Sequence, residues 1–180
     1  MGAETGLKEK GDLWFDDGYV EDFTIIRPTL REQGLVGILA IITSKIGEEG
    51  YLNIEQLKIM IREGWKISSH SVTHRNFKNL SMREVSWELR KSVEWINENL
   101  SLNPMGFVAP HGHINQTQKT LALSYYPLVR ARKNCLNFHS KYFQSKEDAL
   151  RFPGRKYSDK RAEYERVVLK KVLEELYRDE

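Results

Sequence analysis

Residues 35–44, LVGILAIITS, are apolar without a break from Leu35 to Ile42. A strand with one wet face alternates apolar and polar side chains, whereas an unbroken apolar run is what a strand covered on both faces shows. Strands of that kind belong to parallel sheets whose helices lie on the faces. The sequence on either side supports this. Upstream, DLWF (Asp12–Phe15) reads as a strand and EDFTIIRPTLREQG (Glu21–Gly34) as an amphipathic stretch with a break or a helix start at Pro28.

Downstream, NIEQLKIMIREG is a short helix with Asn53 as its cap and Gly64 at its stop, and WKISS is strand-like. LSMREVSWELRKSVEWINENL is the clearest helix: Ser81 caps it, Glu84 completes a capping box, and Val85, Leu89, Val93 and Ile96 share a face. GFVA then reads as a strand, NQTQKTLALSY as a helix, YPLVRAR as a strand, and SDKRAEYERVVLKKVLEELYRDE as a long terminal helix. Alternation of this kind predicts an α/β fold with catalytic loops at the carboxyl ends of parallel strands. The expected strand count, about five, falls short of the eight in a complete barrel. The expectation is therefore a single domain over residues 1–180, built as a distorted, incomplete (β/α) barrel.

Composition narrows the chemistry. Lys and Arg outnumber Asp and Glu by 28 to 25 and are spread along the chain, so there is no basic arm for nucleic acid. The single Cys135 excludes an internal disulfide and a cysteine-type zinc site, so a metal would have to be held by His and carboxylate. No apolar stretch approaches the ~20 residues of a membrane span. The start, MGAETGLKEK, has no signal-peptide core; as written the chain reads as cytoplasmic, or as secreted with a leader trimmed away.

Three clusters could do chemistry. Asp16 and Asp17 close the first strand, and His70 and His74 lie four apart after the third, a spacing that puts both imidazoles on one side of a helical turn. GFVAPHGHIN forms a loop in which Pro110 and Gly112 flank His111. Each has an ordinary reading: Asp-Asp-Gly as a tight turn, the two histidines as surface residues, and the third as a solvated Pro/Gly loop. Their shared position at strand ends is what joins them.

In this order and spacing WFDDGY, SSHSVTH and FVAPHG resemble the first three motifs of the polysaccharide deacetylase family, the carbohydrate esterases with a NodB homology domain, and the likeness runs from Asp12 to Arg132. The resemblance implies a metal-dependent hydrolase that removes acetyl groups from N-acetylated sugars or polysaccharides. It gives Asp16 the role of general base, Asp17, His70 and His74 that of metal ligands, and the His111 backbone N–H that of oxyanion donor. The ion would be zinc by ligand type, with cobalt, nickel or manganese as alternatives.

Two departures stand out. Many members carry an arginine, paired with the base, where this chain has Val108. The family's late Leu-x-His strand, source of a general acid, has His139 as its one candidate after Arg132; otherwise the chain is truncated at its C-terminus, with an open sheet edge that favours a homo-oligomer or a partner chain. The alternatives are a non-catalytic metal- or carbohydrate-binding remnant and a hydrolase of a small non-peptide amide. Trp87 and Trp95 read as packed helix residues rather than sugar platforms, and Arg130 and Arg132 as a solvated strand edge.

Overall fold

The computed structural model of the chain describes residues 13–32, 34–131 and 137–138. Its strands are β1 (Trp14–Asp17), β2 (Ile38–Ile41), β3 (Lys66–Ser69), β4 (Phe107–Val108), β5 (Val129–Arg130) and β6 (Asn137–Phe138). They form one parallel sheet in the order β5-β4-β3-β2-β1-β6. The helices are α1 (Arg27–Glu32), α2 (Ile54–Arg62), α3 (Met82–Leu100) and α4 (Gln116–Ala122). This is an open, barrel-like α/β sheet, as the alternation predicts.

The unbroken run at β2 has a direct cause. All four of its residues are buried: Leu39 and Ile41 join Phe15, Ile67 and the inner faces of α2 and α3, while Ile38 and Ala40 pack with Trp14 and Val108 on the opposite side. Close contact also constrains Gly37, where an added Cβ would lie 2.6 Å from the Trp65 ring and 2.7 Å from that of Phe15.

The caps sit where local sequence chemistry puts them. Asn53 and Gln56 form a reciprocal capping box on α2, Ser81 and Glu84 on α3, and Asn115 and Gln118 on α4. On α3, Val85, Leu89 and Ile96 are fully buried, and Val93 packs partly buried against the cluster around Phe77 and Phe107.

α1 begins at Arg27 with Pro28 in its first turn, the helix start expected there, and the stretch before it is π-helical over Asp22–Ile26. Other expectations need correction. Beyond the five strands expected, Asn137 and Phe138, in the segment that ends at the His139 candidate, pair with Trp14 and Phe15 as a short sixth strand. Trp87 is 42% exposed rather than packed, while Trp95 packs partly buried against the core. Arg130 does not lie on a solvated edge: its guanidinium stacks over the Trp14 ring, with Cζ 3.7 Å from the centroid. His139, Arg132 and the terminal helical stretch lie outside the described residues. Among those described, no helix is long and apolar enough to cross a membrane.

Candidate metal centre

Asp17 ends β1 with φ 78°, a left-handed conformation that ends the extended run, and Gly18 continues the turn at φ 79°. Alternation along β1 sends Phe15 into the helix-side core and Trp14 to the opposite face, which Asp16 shares. Both carboxylates are buried, at 3% exposure for Asp16 and 5% for Asp17. Buried carboxylates are costly unless matched by charge or donors, so two in succession mark a site rather than a solvated turn.

Two strands away, His70 follows β3 directly, its N–H donating to the Ile41 carbonyl at 2.8 Å. Its Nδ1 lies 2.8 Å from the Val108 carbonyl. A carbonyl only accepts, so that contact assigns the proton to Nδ1 and leaves the Nε2 lone pair facing Asp17. His74 reaches the same point from a loop, with φ 59°, and not from the helical turn that the four-residue spacing suggests.

The loop is held from below. His74 N–H donates to Ser71 Oγ at 3.0 Å, and Ser71, itself at φ 69°, donates its N–H to Ser69 Oγ at 3.2 Å. Glu88, fully buried on α3, accepts the Val72 and Thr73 N–H groups at 2.9 Å each and the Thr73 hydroxyl; Arg75 Nε lies 3.5 Å away. Glu88 belongs to none of the three sequence clusters. The available signal is an acidic residue beside the apolar face of α3, three residues after Val85 and directly before Leu89.

Three donor atoms converge. Asp17 Oδ1 is 3.4 Å from His70 Nε2 and 3.4 Å from His74 Nε2, and the two nitrogens are 3.2 Å apart. A tetrahedral ion with bonds of about 2.0–2.1 Å has ligand-to-ligand edges of about 3.3–3.4 Å, so this triangle fits a divalent cation of zinc's size. Among the described residues, this is the group of His and carboxylate side chains able to hold a metal. It coincides with the residues singled out in the sequence.

Tyr19, also absent from the sequence reading, hydrogen-bonds through its hydroxyl to Asp17 and Tyr51, and its ring stacks on Tyr51 at 5.1 Å. Burial, then the Asp17 charge, push its phenol well above its ordinary range, so it remains a donor to that carboxylate. His111 has φ 56° in the tight turn Pro110–Gly112, with its ring 4.6 Å from that of His74. The Gly112 and His113 N–H groups are taken by the Ala109 and Pro110 carbonyls.

The chain matches a family model described as polysaccharide deacetylase over residues 7–126. It is 31% identical over 104 residues to the putative polysaccharide deacetylase YxkH of Bacillus subtilis (strain 168), a match spanning 58% of this chain and 37% of that relative. Its fold resembles the Streptococcus pyogenes deacetylase PplD in complex with acetate, with a TM-score of 0.64 at 20% identity, covering 80% of this chain and 70% of that one. A polysaccharide deacetylase from Bacillus cereus gives 0.63 at 20% identity, covering 69% and 40%. A family 4 carbohydrate esterase from Streptomyces lividans, also with acetate, gives 0.56 at 22%, covering 63% and 57%.

Proposed function

Since the chain belongs to the polysaccharide deacetylase family, we propose that it hydrolyses the acetamide of N-acetylated sugars with one divalent ion, zinc by ligand type, held by Asp17, His70 and His74. The observation that carries this reading is the donor triangle, with edges of 3.2–3.4 Å, beside a second buried carboxylate. When bound, the ion would supply Lewis-acid polarisation of the amide carbonyl and lower the pKa of water.

The remaining work falls to the chain. Asp16, next to a ligand in sequence but outside the triangle, accepts the proton of the attacking water at a carboxylate oxygen. Val108 holds His70 in the tautomer that presents Nε2. The His111 N–H, in its left-handed turn, donates to the oxygen that gains charge as the carbonyl becomes tetrahedral. Pro110 and Gly112 shape the turn that aims it.

The departing amine needs a proton, and His139 is the candidate donor. It lies outside the described residues, and its role rests on the family's late Leu-x-His motif, for which it is the one candidate after Arg132.

Metal analysis beside a turnover assay on chitooligosaccharides tests the assignment. Asp16→Asn should keep its zinc and lose ~10²–10⁴ in rate, as removal of a general base does, whereas His70→Ala and His74→Ala should lose the zinc. Equal zinc loss in all three variants would make Asp16 a ligand and overturn the roles. A zinc-loaded wild type that binds these sugars without cleaving them would select the non-catalytic reading; cleavage of small amides alone would change the substrate.

A further inference from the structure

We propose that Arg130 is the positioning residue for Asp16: its guanidinium, laid flat on Trp14, reaches the Asp16 carboxylate from β5 and fixes its orientation. The inference rests on the role given above to Asp16.

Register supplies the first step. Arg130 is the partner of Val108 in the β4–β5 pairing, and side chains on one rung of a parallel sheet point to the same face. Val108 belongs to the cluster with Trp14, Ile38 and Ala40, so Arg130 faces the same interior. The cation over the Trp14 ring, 3.7 Å from its centroid, places the guanidinium across that interior against β1.

Asp16 lies on the same face, two residues beyond Trp14, which is about 6.6 Å along a strand. A guanidinium stacked on an indole uses its face for the ring and keeps its N–H donors in its own plane, free to fork onto a carboxylate. Nη1 of Arg130 is sealed from solvent, and a buried cation of this type is stable only against an anion or several acceptors. The other described cation on this face, Lys66, is exposed and shares a rung with Ile38 and Trp14, at the end of the sheet away from the candidate site. Val108 contributes no charge. The rung that is apolar on β4 thus carries its cation one strand over, on β5.

Three variants test this: Arg130→Met, Arg130→Lys, and Val108→Arg combined with Arg130→Met. Each is assayed for bound zinc, for kcat and KM on a chitooligosaccharide, and by crystal structure with zinc. Arg130→Met should keep one zinc per chain and change KM by less than ~3-fold while kcat falls by about 10²-fold, the scale of a misplaced catalytic group. Lysine, lacking the planar fork, should recover less than a tenth of the loss. The second-site arginine, returning a guanidinium to the same rung, should recover at least ~10-fold, which a merely structural role would not do.

Wild-type kcat in Arg130→Met, loss of zinc from it, or a crystal structure with the Arg130 guanidinium more than ~6 Å from the Asp16 carboxylate, beyond ion-pair reach, would each overturn the proposal. If zinc-loaded wild type cleaves no amide, the function proposed above fails by itself. The crystal structures then decide alone: an Asp16–Arg130 ion pair, with Asp16 reoriented in Arg130→Met, upholds the positioning role, and an unmoved Asp16 ends it.

Discussion

Replacing Glu88 should disturb the metal site from a distance. Its carboxylate accepts two backbone N–H groups at 2.9 Å and the Thr73 hydroxyl, and these bonds pin residues 72 and 73, next to His74. Glu88→Leu fills the space but removes every acceptor. Each bond to a charged group contributes about 1.5–3 kcal/mol, and a donor left buried costs about 1–3 kcal/mol. Thr73 is exposed and Val72 half-buried, so water recovers part of the loss; a net cost of about 3–5 kcal/mol results, in the range for breaking a buried charged network. Glu88→Gln differs in kind. Its carbonyl can still serve both amides while its NH₂ donates to the Thr73 hydroxyl, leaving a loss of about 1 kcal/mol for the missing charge. Urea unfolding of the metal-free protein measures both. Competition titration should show zinc affinity reduced ~10–100-fold in Glu88→Leu, as for other losses of ligand support, and only a few-fold in Glu88→Gln. Glu88→Leu with wild-type zinc affinity would refute the claim that this contact aims His74, whatever happened to stability.

Tyr19→Phe should leave the fold intact and weaken zinc binding by about 10-fold, because Asp17 loses a hydroxyl donor; unchanged affinity would assign Tyr19 to packing alone. Arg27 hydrogen-bonds Glu63 and holds its carboxyl below the ordinary glutamate range. A depressed folded value stabilises above the unfolded one, near ~4.3, and the gain is lost as pH falls through the folded value. Urea midpoints of wild type and Arg27→Met should therefore differ at pH 7 and converge in acid; a gap constant with pH would remove the ion pair from the explanation. Gly37→Ala should cost about 1–3 kcal/mol by overpacking against Trp65 and Phe15, read as a lower urea midpoint, and a neutral result would mean that both rings yield freely.

What the sequence revealed and what it hid divide by the range of the interactions involved. Asn53 and Ser81 announce their helices because a capping box closes within three residues. The apolar run at β2 is legible because burial on both faces is a property of that segment alone. The pair Asp16–Asp17 and the pair His70–His74 are short motifs at strand ends, readable in order. By contrast, β6 is two residues long and owes its existence to pairing with β1, more than a hundred positions earlier. Glu88 reaches its partners from another element, and the inward course of Arg130 follows from its rung on β5. The helical reading of the histidine spacing failed because Ser71 and His74 are left-handed, which no periodicity announces.

Those left-handed residues bear on how the protein would respond to selection for heat resistance. Asp17, Ser71, His74 and His111 all have positive φ, a conformation that costs a residue with a Cβ roughly 1–2 kcal/mol and glycine almost nothing, less the extra entropy glycine loses on folding. Random variants screened for thermal survival alone should accumulate glycine at these positions and lose the catalyst with it. Asp17 and His74 are needed for their side chains, and Ser71 for the hydroxyl beneath His74. His111 stands apart, since the role proposed for it uses only the main-chain N–H, which glycine retains. Of the four, position 111 is where a thermostability campaign could relax the backbone and keep the proposed chemistry.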